Sequence, residues 1–121
     1  MPKDYDRTRR VAEQIQRELA IIIQQELTDP RLRLVTVSAV EISRDLKHAK
    51  VYITSLDETH KHEQTVDALQ HAAGFLQHEL GHRLHLRTVP RLQVMYDESI
   101  ERGSALSALI DSAISKDQEQ D

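Results

Sequence analysis

The stretch from His71 to Pro90, HAAGFLQHELGHRLHLRTVP, restricts what this chain can fold into more than any other. Its apolar positions, with Val66 and Leu69 before it and Ala73, Leu76, Leu80 and Leu84 within it, recur at helical spacing and fall in one stripe. Phe75 falls off that stripe, as expected if the axis bends near Gly74. A glycine inside a helix costs about 1 kcal/mol relative to alanine, yet both Gly74 and Gly81 stand here. A kink at Ala72-Ala73-Gly74, after Ala73, gives Gly74 a reason. His71, His78, His82 and His85 collect on the far side of the helical wheel and are expected to face solvent.

The segments on either side supply a sheet and a first helix. Val11, Ile15, Leu19 and Ile22 predict a helix from about Tyr5 to Leu27, with Asp6 as N-cap. Thr28-Asp29-Pro30-Arg31 stops it, because the residue before a proline is pushed out of the helical region. Leu32 to Ser43 reads as a strand whose alternation slips at Ala39-Val40, which suggests a bulge or strong twist. A polar turn, Ser43 to His48, leads into a second strand with Ala49, Val51, Ile53 and Ser55 on one face and Lys50, Tyr52, Thr54 and Leu56 on the other. Asp57 to Glu63 is a charged loop, and Thr59 or Thr65 could cap the following helix.

Pro90 introduces a third strand, Arg91 to Tyr96, with Leu92, Val94 and Tyr96 on one face. Leu106, Leu109, Ile110, Ala113 and Ile114 give an apolar side to a last helix, Ser99 to about Ser115, and Lys116 to Asp121 reads as disordered. The order α-β-β-α-(kink)-α-β plus a C-terminal helix predicts an α+β fold, with helices on one face of a three-stranded sheet. At 121 residues this is one domain, residues 1–98, followed by the helix and acidic tail of residues 99–121.

Charge distribution says more about function than the net charge of −4 does. From Asp97 onward seven acids stand against two bases, while residues 1–96 hold 13 acids and 14 bases. Three basic clusters stand out: Arg7, Arg9 and Arg10; Arg44, Lys47, His48 and Lys50; and Arg83, His85, Arg87 and Arg91. Arg and Lys neutralise phosphates without reading sequence. With one Phe and three Tyr, a base-stacking platform is not expected. The chain has no cysteine, so disulfides and thiolate metal sites are excluded. No apolar run approaches the roughly 20 residues that span a bilayer, and the polar N-terminus is unlike a signal peptide. The expected location is cytoplasmic.

His78-Glu79-Leu80-Gly81-His82 is a literal H-E-x-x-H. Two histidines at i and i+4 on one helical face can hold zinc while the glutamate acts as base. A catalytic site also needs a third ligand. His85 lies on the motif helix itself, and Glu98 and Glu101 lie beyond a strand. A zinc-binding protein or metallohydrolase is therefore the weaker alternative; the preferred expectation is no enzyme, no metal and no cofactor.

Five blocks carry a family resemblance: Arg10-Val11-Ala12; Asp29-Pro30-Arg31; Val40 to Leu46, VEISRDL; Ala49 to Tyr52, AKVY; and Arg83 to Leu92, RLHLRTVPRL. With Ala72-Ala73-Gly74 they resemble, in order and over about residues 5–115, the bacterial ribosome-binding factor A family. Arg91 stands where that family often has an acid, and Val94 where an aromatic is common. The resemblance implies a KH-like fold of type II in which an Ala-x-Gly kink replaces the Gly-x-x-Gly loop. It implies a monomeric, non-catalytic assembly factor that binds the immature small ribosomal subunit through 16S rRNA and its precursor. Late maturation and 5′-end processing of that rRNA, importance in the cold, and release by an assembly GTPase are implied with it. Arg31 and Gly74 lie in the blocks that carry the resemblance. With His78 and His82 on the exposed helix face, they complete the candidate RNA-facing set: Arg7, Arg9, Arg10, Arg31, Arg44, Lys47, His48, Lys50, Gly74, His78, His82, Arg83, His85 and Arg87.

Overall fold

The computed structural model describes residues 3–99, with side chains from residue 7 onward. Helix α1 spans Lys3–Glu26 and presents Ile15, Leu19 and Ile22, all fully buried, to the core. Burying each such side chain is worth about 1.5–3 kcal/mol. The helix begins before Tyr5, so Asp6 lies inside it and is not its N-cap. Asp29 then caps a short 3-10 turn, Pro30–Leu32, accepting from the Arg31 N–H at 2.9 Å. That turn takes up Leu32, expected to open the first strand, which starts instead at Val35.

Strands β1 (Val35–Ile42) and β2 (His48–Ser55) form an antiparallel hairpin, and β3 (Arg91–Tyr96) pairs with β2 in parallel, giving the order β1-β2-β3. The expected slip is a bulge between Val37 and Ala39, leaving Ser38 unpaired. Gln16 of α1 donates from Nε2 to the carbonyls of Val37 and Ser38 at 3.1 and 3.2 Å, tying the helix to the bulge.

Helix α2 (His62–His71) and helix α3 (Ala73–Leu84) meet at one residue, Ala72, with φ −85° and ψ 0°. The kink thus lies one residue before the position expected for it. Neither Thr59 nor Thr65 caps α2. Lys61 is the cap residue, its N–H donating to Gln64 Oε1 at 3.0 Å, while Thr65 is buried within the helix. Leu69, Ala73, Leu76 and Leu80 are buried as their spacing predicts, and Phe75 is exposed. Neither glycine has positive φ. A Cβ on Gly74 would meet open space, so the bend does not require this glycine; a Cβ on Gly81 would lie 3.1 Å from Val89 Cγ2. Gly81 is a packing glycine, letting the segment between α3 and β3 approach closely.

The helices bury one face of the sheet, formed by Val35, Val37, Ala49, Val51, Ile53, Leu92 and Val94. Described residues leave the other face uncovered. Across it run the rows Ala39-Tyr52-Met95 and Glu41-Lys50-Gln93. This is the expected α+β, KH-like sandwich. The C-terminal helix expected from Ser99 lies outside the described residues.

Candidate nucleic-acid interface

The hairpin turn is built to project cations. Asp45 Oδ1 accepts from Ser43 Oγ at 2.6 Å and from the Lys47 N–H at 3.0 Å. Those hydrogen bonds, the hydroxyl's foremost, hold its carboxyl below the usual carboxylate range. Ser43 Oγ also accepts from the His48 N–H at 3.0 Å. Leu46 sits at φ 60°, in the left-handed region. With the backbone so fixed, Arg44, Lys47, His48 and Lys50 all stand exposed.

Strand β3 adds its first residue to this group. The Arg91 N–H donates to the Lys47 carbonyl at 2.7 Å, and Arg91 pairs with His48 in the ladder. An open cleft of about 720 Å³ lies here, lined by His48, Lys50, Arg91 and Gln93 of the sheet and by Gln70 of α2. Its one acid is Glu41, which faces Lys50 across the strands and accepts from the Tyr52 hydroxyl at 3.3 Å. Burial, and then Glu41, push the Tyr52 hydroxyl's pKa up. A second cleft, about 330 Å³, places Thr8, Arg9 and Glu13 of α1 over Ala39 to Ile42. Arg7, Arg9 and Arg10 are exposed, and Arg9 lies 3.4 Å from Glu13. The first basic cluster therefore flanks the same end of the sheet as the second.

The third cluster divides. Arg91 belongs to the hairpin pole, but Arg83 turns to α1, 3.3 Å from Glu18 and 4.0 Å from both Glu26 and Glu79. Its guanidinium joins two helices. His85 ends α3 in the left-handed conformation, φ 51° and ψ 37°. Its ring and the Arg87 side chain are exposed on the connection to β3. Arg31 is also apart from the pole: its Nη2 lies 2.7 Å from Asp29 Oδ2 and its Nε 3.1 Å from Oδ1. That fork lowers the Asp29 pKa and raises that of Arg31.

The opposite end of the molecule is acidic. A cleft of about 800 Å³ is lined by Asp57, Glu58, Glu63, Asp67 and Glu98, with His62 stacked on Tyr96 at 3.6 Å between ring centres. Basic and acidic groups thus occupy opposite ends of β2.

Three glutamines that carry no charge or periodic signal hold the site together. Gln70 Oε1 accepts from the Val94 N–H at 2.8 Å, and its Nε2 donates to the Leu92 carbonyl at 3.1 Å. Gln77 Oε1 accepts from the Leu92 N–H at 3.4 Å. These two, on either side of the Ala72 joint, satisfy Leu92 and the Val94 N–H on the free edge of β3, and Gln16 satisfies two carbonyls at the bulge of β1. An unpaired strand edge invites pairing with another chain. Side-chain amides occupy the first half of this one, so Leu92 and the Val94 N–H are not free to read a base edge. Gly74 is exposed near the start of α3, with open space where a Cβ would stand.

The H-E-x-x-H string forms no cage. The His78 and His82 rings meet edge to face at 4.6 Å, both exposed, and Glu79 leans to Arg83. Among the described residues no three His, Cys, Asp or Glu side chains are grouped to hold a metal ion. No helix among them is long and apolar enough to cross a membrane.

Comparison with known proteins agrees with the fold. The sequence model of the family described as Ribosome-binding factor A matches residues 7–110. A ribosome-binding factor A from Thioalkalivibrio sulfidiphilus is 54% identical over 120 residues, covering 99% of this chain and 93% of its relative. The crystal structure of ribosome-binding factor A from Thermus thermophilus superposes with a TM-score of 0.68 at 35% identity, over 74% of this chain and 93% of that one. A homology model of the Thermus thermophilus factor, fitted into a cryo-EM map of its 30S complex, gives a TM-score of 0.62 at 36% identity, over 72% and 91% of the two chains.

Proposed function

The chain belongs to the ribosome-binding factor A family, and from that premise we propose that it is a non-catalytic factor that binds the immature small ribosomal subunit. It acts in the cytoplasm as a monomer, assists late maturation and 5′-end processing of 16S rRNA, matters most in the cold, and is released by an assembly GTPase. Residues 1–98 are the rRNA-binding domain. The observation that carries the reading is the basic pole, where Arg44, Lys47, His48 and Lys50 meet Arg91 through the Arg91–Lys47 backbone hydrogen bond. Arg7, Arg9 and Arg10 extend it along α1.

Exposed cations on a rigid hairpin neutralise phosphates and release counterions, which gives affinity without sequence readout. Edge groups of β3 and β1 already satisfied by glutamine amides fit the same mode. Folded rRNA is met through its backbone, and Gly74 marks where that backbone comes close to the helices. Among the candidates, Arg31 and Arg83 serve the fold first, through Asp29 and Glu18, while His78, His82, His85 and Arg87 form a peripheral exposed surface.

Co-sedimentation with purified small subunits in the presence of a chelator tests the reading. Salt-sensitive binding to free small subunits, weak on complete ribosomes, is the expected result. Binding that needs added zinc, or none at any salt, overturns it.

A further inference from the structure

His78 and His82 stand one turn apart on α3, both exposed, with their rings edge to face and 4.6 Å between centres. Other histidines are already engaged. His60 Nδ1 lies 2.6 Å from Asp57 Oδ2, His62 stacks on Tyr96, and His71 Nδ1 lies 2.7 Å from the Asp67 carbonyl. Among the described residues no hydrogen bond or ion pair takes up a ring nitrogen of His78 or His82, so both rings are available as ligands.

The helix supplies the spacing a metal ion needs. Side chains at i and i+4 have Cβ atoms about 5–6 Å apart. A zinc–imidazole bond is about 2.0–2.1 Å, so two nitrogens bound side by side on one ion stand ~3 Å apart. Histidine χ2 is broad, and rotation of two rings already this close brings one nitrogen of each to a shared point. Two imidazoles, with water at the remaining positions, suit zinc, nickel or copper. Magnesium and calcium want oxygen ligands instead. Glu79 is not a third ligand: its carboxylate lies 4.0 Å from Arg83 Nε. An ion held by two side chains stays exchangeable and performs no hydrolysis.

Gly81 lies inside the same turn. A glycine weakens a helix interior, and Gly81 is needed there because a Cβ would lie 3.1 Å from Val89 Cγ2. We propose that His78 and His82 bind one divalent transition ion, of the zinc, nickel or copper class, which clips the turn of α3 that Gly81 weakens. The chelate exists only while that turn is helical, so ion binding and folding are linked. This site goes beyond the proposed function and does not rest on it; small-subunit binding proceeds with chelator present.

The untagged full chain, stripped with chelator, is titrated with zinc chloride at about pH 8, where an ordinary imidazole is neutral. One ion per chain is expected, with the ring resonances of His78 and His82 shifting together and ahead of the remaining histidines. His78→Ala and His82→Ala should each weaken binding at least about tenfold, because the second imidazole binds as an intramolecular ligand. Glu79→Gln should leave it unchanged. The unfolding midpoint should rise with zinc in the wild type and in neither histidine variant. Equal affinity in either histidine variant, or other histidines shifting first, would mean an adventitious ion only and overturns the site. So does the absence of binding at millimolar zinc. A loss in Glu79→Gln as large as in the histidine variants overturns the two-histidine ligand set, and an ion bound at the pair with no rise in midpoint overturns the clip.

Discussion

The Arg91 N–H donates to the Lys47 carbonyl at 2.7 Å, and this one bond joins the start of β3 to the turn between β1 and β2. Two basic clusters more than forty positions apart in the chain become one surface through it. Each cation that neutralises a phosphate adds about 0.7–0.9 to the salt dependence of binding, on logarithmic axes. The pair Lys47→Ala and Arg91→Ala should therefore lower the slope for small-subunit binding by about 1.5. An unchanged slope removes these side chains from the interface. Arg83→Ala is the contrast: its partners are Glu18, Glu26 and Glu79. It should cost about 0.5–1 kcal/mol of stability in urea unfolding and leave the slope unchanged.

The two glycines of α3 should respond differently to alanine. Gly74 has helical φ and open space where a Cβ would stand. Gly74→Ala should stabilise the fold by about 1 kcal/mol. Weakened subunit binding in that stabilised variant would show that RNA comes within a methyl group of the helix; unchanged binding would show that it does not. Gly81→Ala meets Val89 Cγ2 at 3.1 Å, so the same gain should be missing. Val89→Ala in the Gly81→Ala background should relieve the contact, which a double-mutant cycle by thermal melting would register as favourable coupling.

Gln70 closes the edge of β3 with both ends of its amide. Gln70→Ala leaves the Val94 N–H and the Leu92 carbonyl without those partners, at a cost of about 1–2 kcal/mol. Gln70→Glu keeps an acceptor for Val94 but loses the donor to Leu92, so it should fall between the two. Hydrogen exchange at the Val94 amide is the readout. Rates ordered wild type, Glu, Ala from slow to fast support this role, and equal rates refute it.

Much of the fold was legible because periodicity is a property of neighbours. Ile15-Leu19-Ile22 on α1 and Ala49-Val51-Ile53 on β2 reveal their buried sides with no knowledge of what covers them. The joint at Ala72 came within one residue of expectation, since two glycines in a helix need some cause. Partner choice was not legible. Arg83 and Arg91 look alike in sequence, yet one turns to acids on α1 and the other joins the hairpin, a difference set by the path of residues 85–90. Gln16, Gln70 and Gln77 gave no signal, because an amide that satisfies a strand edge has no characteristic spacing. Lys61 caps α2 through Gln64, a cap that Thr59 and Thr65 obscured by being better residue types for the task.

The loop before α2 should fail first in acid. Asp57 Oδ1 accepts from the Thr59 hydroxyl at 2.5 Å and from the Thr59 N–H at 2.8 Å, and Oδ2 lies 2.6 Å from His60 Nδ1. The Thr59 hydroxyl first, and then His60, lower the Asp57 carboxyl from 3.8 to about 2. A carboxyl whose pKa is depressed on folding adds stability that is fully present above its unfolded value, near 3.9, and that is lost as pH falls toward the folded value. The wild-type chain should therefore lose stability between about pH 4 and pH 2, helped by Asp29, Asp45 and Asp97, which are lowered by hydrogen bonds of the same kind. Asp57→Asn should be less stable than wild type at neutral pH, and the gap should close as pH falls through that window. Denaturant melts at stepped pH would show the two curves converging. Parallel curves would mean that the Asp57 carboxylate, despite its partners, contributes nothing specific to holding the loop.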